Sequence, residues 1–398
     1  MITYADILDA QAYLQKRIRP THFLDSKFFS HRSGANVWLA LETTQRTGAY
    51  KIRGALNKMR KLTSEQLTAG VITASAGNHA AGVALAAQWL GCEPTIVMPV
   101  NTPDIKVVQT RSYGEPRIIL YGQNYDEASL HAHELQKQFG YPYIHPFDDD
   151  DVIAGQGTLG LEILEHHPDV DAILVPVGGG GLIAGICIAV KTHNPKVKII
   201  GVNASGAASA VQAMQHNKRI MLEHVETIAE GIKVKQIGER PFAIMQQYLD
   251  RMVEVTDDEI CEAVMHLAEK PKQLVEPAGA VGIAALLSGE VQLVKKKVVV
   301  VLSGANIDLV LLNRIIERGL RLSHRLINLT LSSQQELPAL THVLQGVQAQ
   351  VLDVSVHRDL AGMSLADRIF HVELQTQDAA HVEKILHALE SAGFRKVS

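Results

Sequence analysis

The sequence predicts an α/β fold, doubly wound around parallel sheets, followed by a smaller domain of different construction. Three observations predict it. From about residue 35 to residue 320, short Val/Ile-rich runs alternate with helical patterns. Those runs are apolar throughout, as strands buried on both faces are, and β-then-α repetition joins parallel neighbours through right-handed crossovers. After Arg321 the rhythm changes to strands that alternate apolar with polar residues, which expects one solvated face. A chain of 398 residues exceeds one ordinary core and needs two or three domains.

The elements follow in order. The opening stretch "MITYADILDAQAYLQKRIRP" reads as an amphipathic helix with charges inside it, not as a signal peptide with an unbroken apolar centre. Candidate strands are "VWLALE" (37–42), "VITAS" (71–75), "TIVMPV" (95–100), "RIILYG" (117–122), "AILVPVG" (172–178), "VKIIGVN" (197–203) and "VVVVLSG" (298–304). Helices between them include His79 to Leu90 and Tyr125 to Phe139. The stretch Ala172 to Val190 carries no charge over nearly a membrane's length. Pro176 and four consecutive glycines make strand, turn and helix the better reading, so no membrane is expected. Beyond Arg321, "INLTLSS" (327–333), a helix Glu336 to Gln345, "VLDVSVHR" (351–358), "RIFHVELQT" (368–376) and a helix Ala379 to Ala392 give β-α-β-β-α. That is a ferredoxin-like arrangement without a clear last strand.

Composition narrows the function classes. With a net charge of −4 and no basic run long enough to neutralise a phosphate backbone, no nucleic-acid partner is expected. Cys92, Cys187 and Cys261 lie far apart in apolar or helical surroundings, which fits free buried thiols in a reducing compartment. The chain reads as cytoplasmic.

Four motifs carry chemistry. In "VPVGGGGLIAG", Gly178, Gly179, Gly180 and Gly181 join a strand to a helix. Successive glycines let backbone N–H groups converge on an anion, and the helix N-terminus adds a favourable dipole. A plain turn needs only one or two glycines, and four cost much conformational entropy on folding. A dinucleotide would need G-x-G-x-x-G and a Walker loop would need Lys and Ser/Thr after the last glycine; Leu182 and Ile183 stand there, so a compact phosphate monoester fits best. "SAGNH" at Ser75 to His79 repeats the strand, turn and helix design; Ser75 or Asn78 as helix caps and the turn as a carboxylate site are both open. Ser303 in "VVVVLSGANID" ends a buried strand, where ligands of parallel sheets gather, although taken alone a hydroxyl satisfying local backbone is the commoner role at a strand end. In "TGAYKIRGALNKM", Lys51 is either one more cation on a solvated helix face with Lys58, Arg60 and Lys61, or a buried amine that does chemistry.

Taken together, the ordered set "AYKIRGA", "SAGNH", "GGGGL", "VEPAGA" (275–280) and "LSGANID" resembles the fold-type II pyridoxal-phosphate enzymes, whose fold is tryptophan synthase β-like. Within them it is most similar to the threonine/serine dehydratases, that is, the threonine ammonia-lyases, over about residues 5 to 320. The resemblance implies a catalytic domain over 1–322, with a smaller subdomain at roughly 50–150, and a single ACT-like regulatory domain over 325–398. It implies that Lys51 bonds the cofactor's aldehyde, that Asn78 meets the ring hydroxyl, and that Ser303 meets the pyridine nitrogen. Gly178 to Gly181 with Leu182 would hold the phosphate, and Ser75, Gly77, Asn78 and His79 would lie around the substrate carboxylate. Gly231 of "AEGIKV" and Glu276 of "VEPAGA" would line the cofactor pocket.

The implied reaction is β-elimination of L-threonine to 2-oxobutanoate and ammonia, with L-serine to pyruvate beside it. Lysine suits this because a desolvated amine loses its proton, attacks an aldehyde and later serves as the base for Cα–H. A serine at the ring nitrogen weakens the electron sink and favours prompt loss of a β-substituent. Racemase relatives place a serine where this chain has Ala76, and β-replacement enzymes follow the lysine with Asp-Arg where this chain has Ile52-Arg53. A serine racemase of the same fold and a non-catalytic amino-acid sensor are the competing readings. Tyr50 replaces the usual Phe, and Asn203 and Ser209 stand where relatives with a divalent-cation site carry acids, so no metal is expected. The resemblance also implies a homo-oligomer, dimer or tetramer, and an isoleucine or valine effector at the tail.

Overall fold

The computed structural model describes residues 2–357 and 366–397, and the chain divides into two compact units, Met1–Leu309 and Val310–Ser398. The sequence places the boundary at 322–325, at the far end of the helix Leu309–Leu322; the division by compactness falls at its start.

The first unit holds two sheets. In chain order its strands are β1 (His22–Asp25), β2 (Asn36–Leu41), β3 (Val71–Ala74), β4 (Pro94–Met98), β5 (Arg117–Leu120), β6 (Ala172–Pro176), β7 (Lys198–Ala204), β8 (Arg251–Val255) and β9 (Lys297–Leu302). Six form one sheet in the order β1-β2-β9-β6-β7-β8, parallel except for the β1–β2 pair. The other three, β3-β4-β5, form a parallel sheet that the chain builds between β2 and β6. All seven strands read from Val/Ile runs are present within a residue or three of their expected limits. β1 and β8 are edge strands of four and five residues that carry charges at exposed positions, so they lack the continuous apolar signal.

Glycines set how closely the helices around the large sheet approach. A Cβ on Gly54 of the helix Lys51–Met59 would stand 2.4 Å from Gln156 Nε2, and one on Gly155 of the helix Asp150–His166 would stand 2.4 Å from Arg53 O. Gly157 and Gly185 pack the same long helix onto the helix Gly181–His193, where a Cβ on Gly185 would lie 2.5 Å from Gly157 N. Backbone-to-backbone packing of this kind leaves little room for one helix to shift against another. It therefore fixes the Lys51 helix against the helix that the four glycines open.

The apolar stretch 172–190 resolves into β6, a turn and a helix, and among the described residues no helix is long and apolar enough to cross a membrane. Cys187 and Cys261 are buried, Cys92 is half-buried, and no disulfide joins them among the described residues.

In the second unit, β10 (Leu326–Ser333), β11 (Gln350–His357), β12 (Arg368–Gln375) and β13 (Arg395–Lys396) form an antiparallel sheet ordered β11-β12-β10-β13. Its core joins Leu329, Leu331, Phe370, Val372 and Leu374 to Leu340, Leu344, Ile385 and Leu389 of the helices Leu337–Gly346 and Ala379–Ser391. The sequence reading leaves the last ferredoxin-like strand unassigned; the structure supplies it as β13, paired with Leu331 and Ser332. Two residues are too few to show alternation. Arg358, the expected end of β11, lies outside the described residues.

Candidate active site

Three backbone hydrogen bonds draw the expected residues to one strand end. Ala49 and Gly304 form an isolated antiparallel bridge, Tyr50 N–H donates to Ser303 O at 3.1 Å, and Ala305 N–H donates to Gly48 O at 2.9 Å. Glu276 N–H donates to Gly304 O at 3.0 Å. Lys51, Glu276 and the buried Ser303 thus converge beyond the carboxyl end of β9, where ligands of parallel sheets bind.

Lys51 opens its helix and directs Nζ to the Pro146 carbonyl at 2.8 Å, 5.2 Å from the Tyr50 ring centroid. Burial pulls its amine down to about 8, against the opposing charge of Glu276. About one such lysine in ten is then neutral at pH 7, against fewer than about one in a thousand for an ordinary lysine. Lys58, Arg60 and Lys61 take a different course from the solvated face the sequence predicts. Lys58 pairs with Asp149 at 2.8 Å, Lys61 with Asp151 at 2.8 Å and Arg60 with Asp9, because acids of two other helices face them.

The "SAGNH" turn follows β3 and opens the helix Asn78–Leu90 at Gly77. Ser75 Oγ accepts the Gly77 N–H at 3.3 Å, a local turn bond, and a Cβ built on Gly77 would meet nothing within 4 Å. Asn78 Nδ2 donates to Glu276 Oε1 at 2.8 Å, while Asn78 Oδ1 is buried without a hydrogen-bond partner among the described residues. Burial pushes the Glu276 carboxyl up to about 7, with the Asn78 bond opposing it. Gly231 borders the same carboxylate: a Cβ there would stand 3.6 Å from Glu276 Oε1 and 2.9 Å from Ala278 Cβ.

His79 turns its ring inward, with Nε2 2.8 Å from Ile144 O. A carbonyl only accepts, so Nε2 carries the proton and Nδ1 is bare; it is buried and unpartnered among the described residues. Burial and the Lys51 charge hold this imidazole down at about 3, so it is neutral at any physiological pH. What His79 can offer a carboxylate is its backbone N–H in the first turn of the helix.

Each of the four glycines is closed to a side chain. A Cβ would come to 2.9 Å of Ile232 Cα from Gly178, 2.2 Å of the Phe147 ring from Gly179, 2.7 Å of Pro241 Cβ from Gly180 and 2.8 Å of Phe147 O from Gly181. Gly180 adds a left-handed φ of 89° and caps the helix Gly181–His193. The N–H groups of Gly181, buried Leu182 and Ile183 head that helix, where the preceding turn has no carbonyls for them. The run is a packed cradle, not a flexible turn.

Sequence reasoning misses the segment that joins these parts. In "IHPFDD", Pro146 O receives the Lys51 amine and Phe147 lies against Gly179 and Gly181. His145 Nδ1 accepts the N–H groups of Phe147 at 3.2 Å and Asp148 at 2.7 Å, and Asp148 in turn accepts the N–H groups of Glu239 and Arg240. No glycine run or strand end marks this segment; a Pro-aromatic pair just ahead of an acidic helix start is its only signal.

An amine that gives up its proton near neutrality captures carbonyl compounds, and a glycine turn at a helix start, linked to it through Pro146 and Phe147, is of the kind that would hold a phosphate. The class so defined is the α/β enzymes that take their chemistry from a phosphorylated aldehyde cofactor. The chain belongs to the pyridoxal-phosphate dependent enzyme family, whose description matches residues 14–304, and its fold is that of the fold-type II members. It is 41% identical over 397 residues to the L-threonine ammonia-lyase of Thermotoga maritima, a match that covers 99% of this chain and 98% of the relative. Among solved structures it is similar to the processed form of threonine deaminase isoform 2 from Solanum lycopersicum, with a TM-score of 0.76 and 41% identity over 79% of this chain and 92% of that one. It is also similar to maize serine racemase, with a TM-score of 0.75 and 35% identity over 81% of this chain and 99% of that one. The cofactor is pyridoxal 5'-phosphate.

Proposed function

We propose that this protein is an L-threonine ammonia-lyase that converts L-threonine to 2-oxobutanoate and ammonia and takes L-serine to pyruvate as a second reaction. The observation that carries this reading is the full-length similarity to the Thermotoga maritima L-threonine ammonia-lyase, and the site geometry agrees with it. The residues fit the cofactor. The orphaned Asn78 Oδ1 suits the ring hydroxyl, the cradle of Gly178 to Gly181 with Leu182 suits the phosphate, and Ser303 suits the pyridine nitrogen. Gly231 and Glu276 line the remaining side.

Bound pyridoxal phosphate supplies the electron sink that makes a Cα proton removable. Lys51 does the proton work: its burial-softened amine would hold the cofactor's aldehyde and, as a neutral amine beside Cα, would be the base that takes the proton there. Ser75, Gly77 and the backbone N–H groups of Asn78 and His79 orient the substrate carboxylate at the helix N-terminus. Ser303 presents a neutral hydroxyl, so it does not hold a proton on the ring nitrogen as a carboxylate would. A ring held by such a hydroxyl would suit loss of the β-hydroxyl. On the small-subdomain side, Ala76 packs its methyl against the Ala80, Ala84, Ile96 and Met98 cluster. A methyl cannot return a proton to Cα, which weighs against the racemase reading.

A steady-state comparison of L-threonine, L-serine and D-serine, with 2-oxo acid detection, tests this. L-Threonine should give the highest kcat/KM, with L-serine lower by about 10- to 200-fold, the span one methyl commands in a pocket. Conversion of L-serine to D-serine in preference to pyruvate would overturn the assignment.

The second unit supports an ACT-like regulatory role, because its β-α-β-β-α-β order and the sheet order β11-β12-β10-β13 are those of a ferredoxin-like module. We read it as an isoleucine site opposed by valine, on a homo-oligomer, dimer or tetramer, that serves isoleucine biosynthesis in the cytoplasm; cysteines that form no disulfide among the described residues support a reducing compartment. Adding isoleucine to the intact enzyme should lower its velocity at subsaturating L-threonine by about 5- to 150-fold, with valine restoring it. Velocities indifferent to both amino acids would remove the regulatory role.

A further inference from the structure

Asn203, the last residue but one of β7, is fully buried, and both polar atoms of its amide are in use. Nδ2 donates to Val177 O at 2.5 Å, and Oδ1 accepts the N–H of Val211 at 3.1 Å. Val177 is the residue just before the four glycines, and its own N–H is held by Val202 O at 2.9 Å. Val211 lies in the first turn of the helix Ser209–Gln215. One side chain thereby ties the entry of the glycine cradle to a strand end and a helix start.

The polarity of this link is specific. The Val177 carbonyl can only accept, so the atom facing it must carry a hydrogen. A carboxylate at 203 would keep the bond to Val211 but set two oxygens 2.5 Å apart, and it would need a cation between them. Ser209 Oγ, buried at the start of the same helix and without a hydrogen-bond partner among the described residues, is a neutral oxygen such a cation could use.

We propose that Asn203 is a positioning residue for the cofactor phosphate: its amide N–H fixes the carbonyl at the mouth of the glycine run, so the cradle keeps its shape without a divalent cation. The proposal rests on the reading of Gly178 to Gly181 as the phosphate cradle.

The test titrates cofactor-free, full-length protein with pyridoxal phosphate, following visible absorbance, in a chelator and again in millimolar Mg²⁺. Wild type should bind equally in both. Asn203→Asp should bind roughly tenfold or more weakly in the chelator, the scale of a buried carbonyl left without a donor, and should recover in Mg²⁺. Asn203→Ser, a neutral change that keeps the fold within reach if the aspartate variant does not fold, should bind weakly in both media. Wild-type affinity in either variant, or an Asn203→Asp loss that Mg²⁺ leaves unchanged, would overturn the proposal. Gly180→Ala separates the two readings. Undiminished affinity there would sink the cradle assignment itself, whereas a loss there with none in the Asn203 variants would sink only the role of Asn203.

Discussion

Replacing Lys51 by alanine should abolish the visible absorbance of the holoenzyme and lower 2-oxobutanoate formation by about four orders of magnitude or more. In the proposed mechanism the same amine attaches the cofactor and takes the Cα proton, and general-base action alone is worth about 10²- to 10⁴-fold. Its neighbours make this a sharp experiment. Lys58→Ala, seven residues further along the same helix, removes ion pairs to Asp149 and Asp151 and should leave the absorbance in place. The pH dependence follows from the direction of the shift. Burial lowers the Lys51 pKa to about 8, so the reactive neutral amine is scarce below that value and abundant above it. Cofactor capture by the cofactor-free protein should therefore rise with pH and level off above about 8, where an ordinary lysine would keep rising past 10. Turnover that survives in Lys51→Ala would sink the mechanism, and a capture rate still climbing at pH 10 would sink the account of the amine.

Which lysine the proposed mechanism uses is legible in the sequence only through its company. Nothing in "TGAYKIRGALNKM" separates Lys51 from Lys58; Asn78, the four glycines and Ser303 do, because each follows the end of a buried strand whose apolar run is plain. The seven Val/Ile strands are equally plain, since burial on both faces leaves no polar positions to confuse them. What stays hidden is set by contacts between distant segments. β1, β8 and β13 are short or charged and hold their places through a neighbouring strand. The ring of His79 is committed to Ile144, and Pro146 and Phe147 complete the site from a loop without a motif. The basic face of the Lys51 helix becomes a set of ion pairs because Asp9, Asp149 and Asp151 arrive from elsewhere.

Arg53 shows the same limit at greater energetic cost. Two residues past Lys51 and fully buried, its guanidinium donates to Glu42 at 2.8 Å from both Nε and Nη2, and from Nη1 to Glu162 at 2.7 Å and Thr158 at 3.0 Å. A further Nη2 bond reaches Thr21 Oγ1 at 2.8 Å. Burial alone would raise the Glu162 carboxyl, yet Arg53 and Thr21 hold it below its ordinary value. Its contribution to stability is therefore complete above the unfolded value of 4.5 and is lost as pH falls through the lower folded one. Arg53→Leu would strand the Glu42 carboxylate, itself fully buried, without a counter-charge. Breaking one side of such a cluster costs about 3 to 5 kcal/mol, which urea unfolding of the variant at pH 7 should show. Because the cluster pins the first turn of the Lys51 helix to the helix Asp150–His166 and the loop after β2, the loss should appear also as weaker cofactor retention. Arg53→Lys, which keeps a charge but not the planar fork, should fall between the two. A leucine variant within about 1 kcal/mol of wild type would mean that the buried charges are matched by other groups, and that close helix packing through Gly54 and Gly155 holds Lys51 in place unaided.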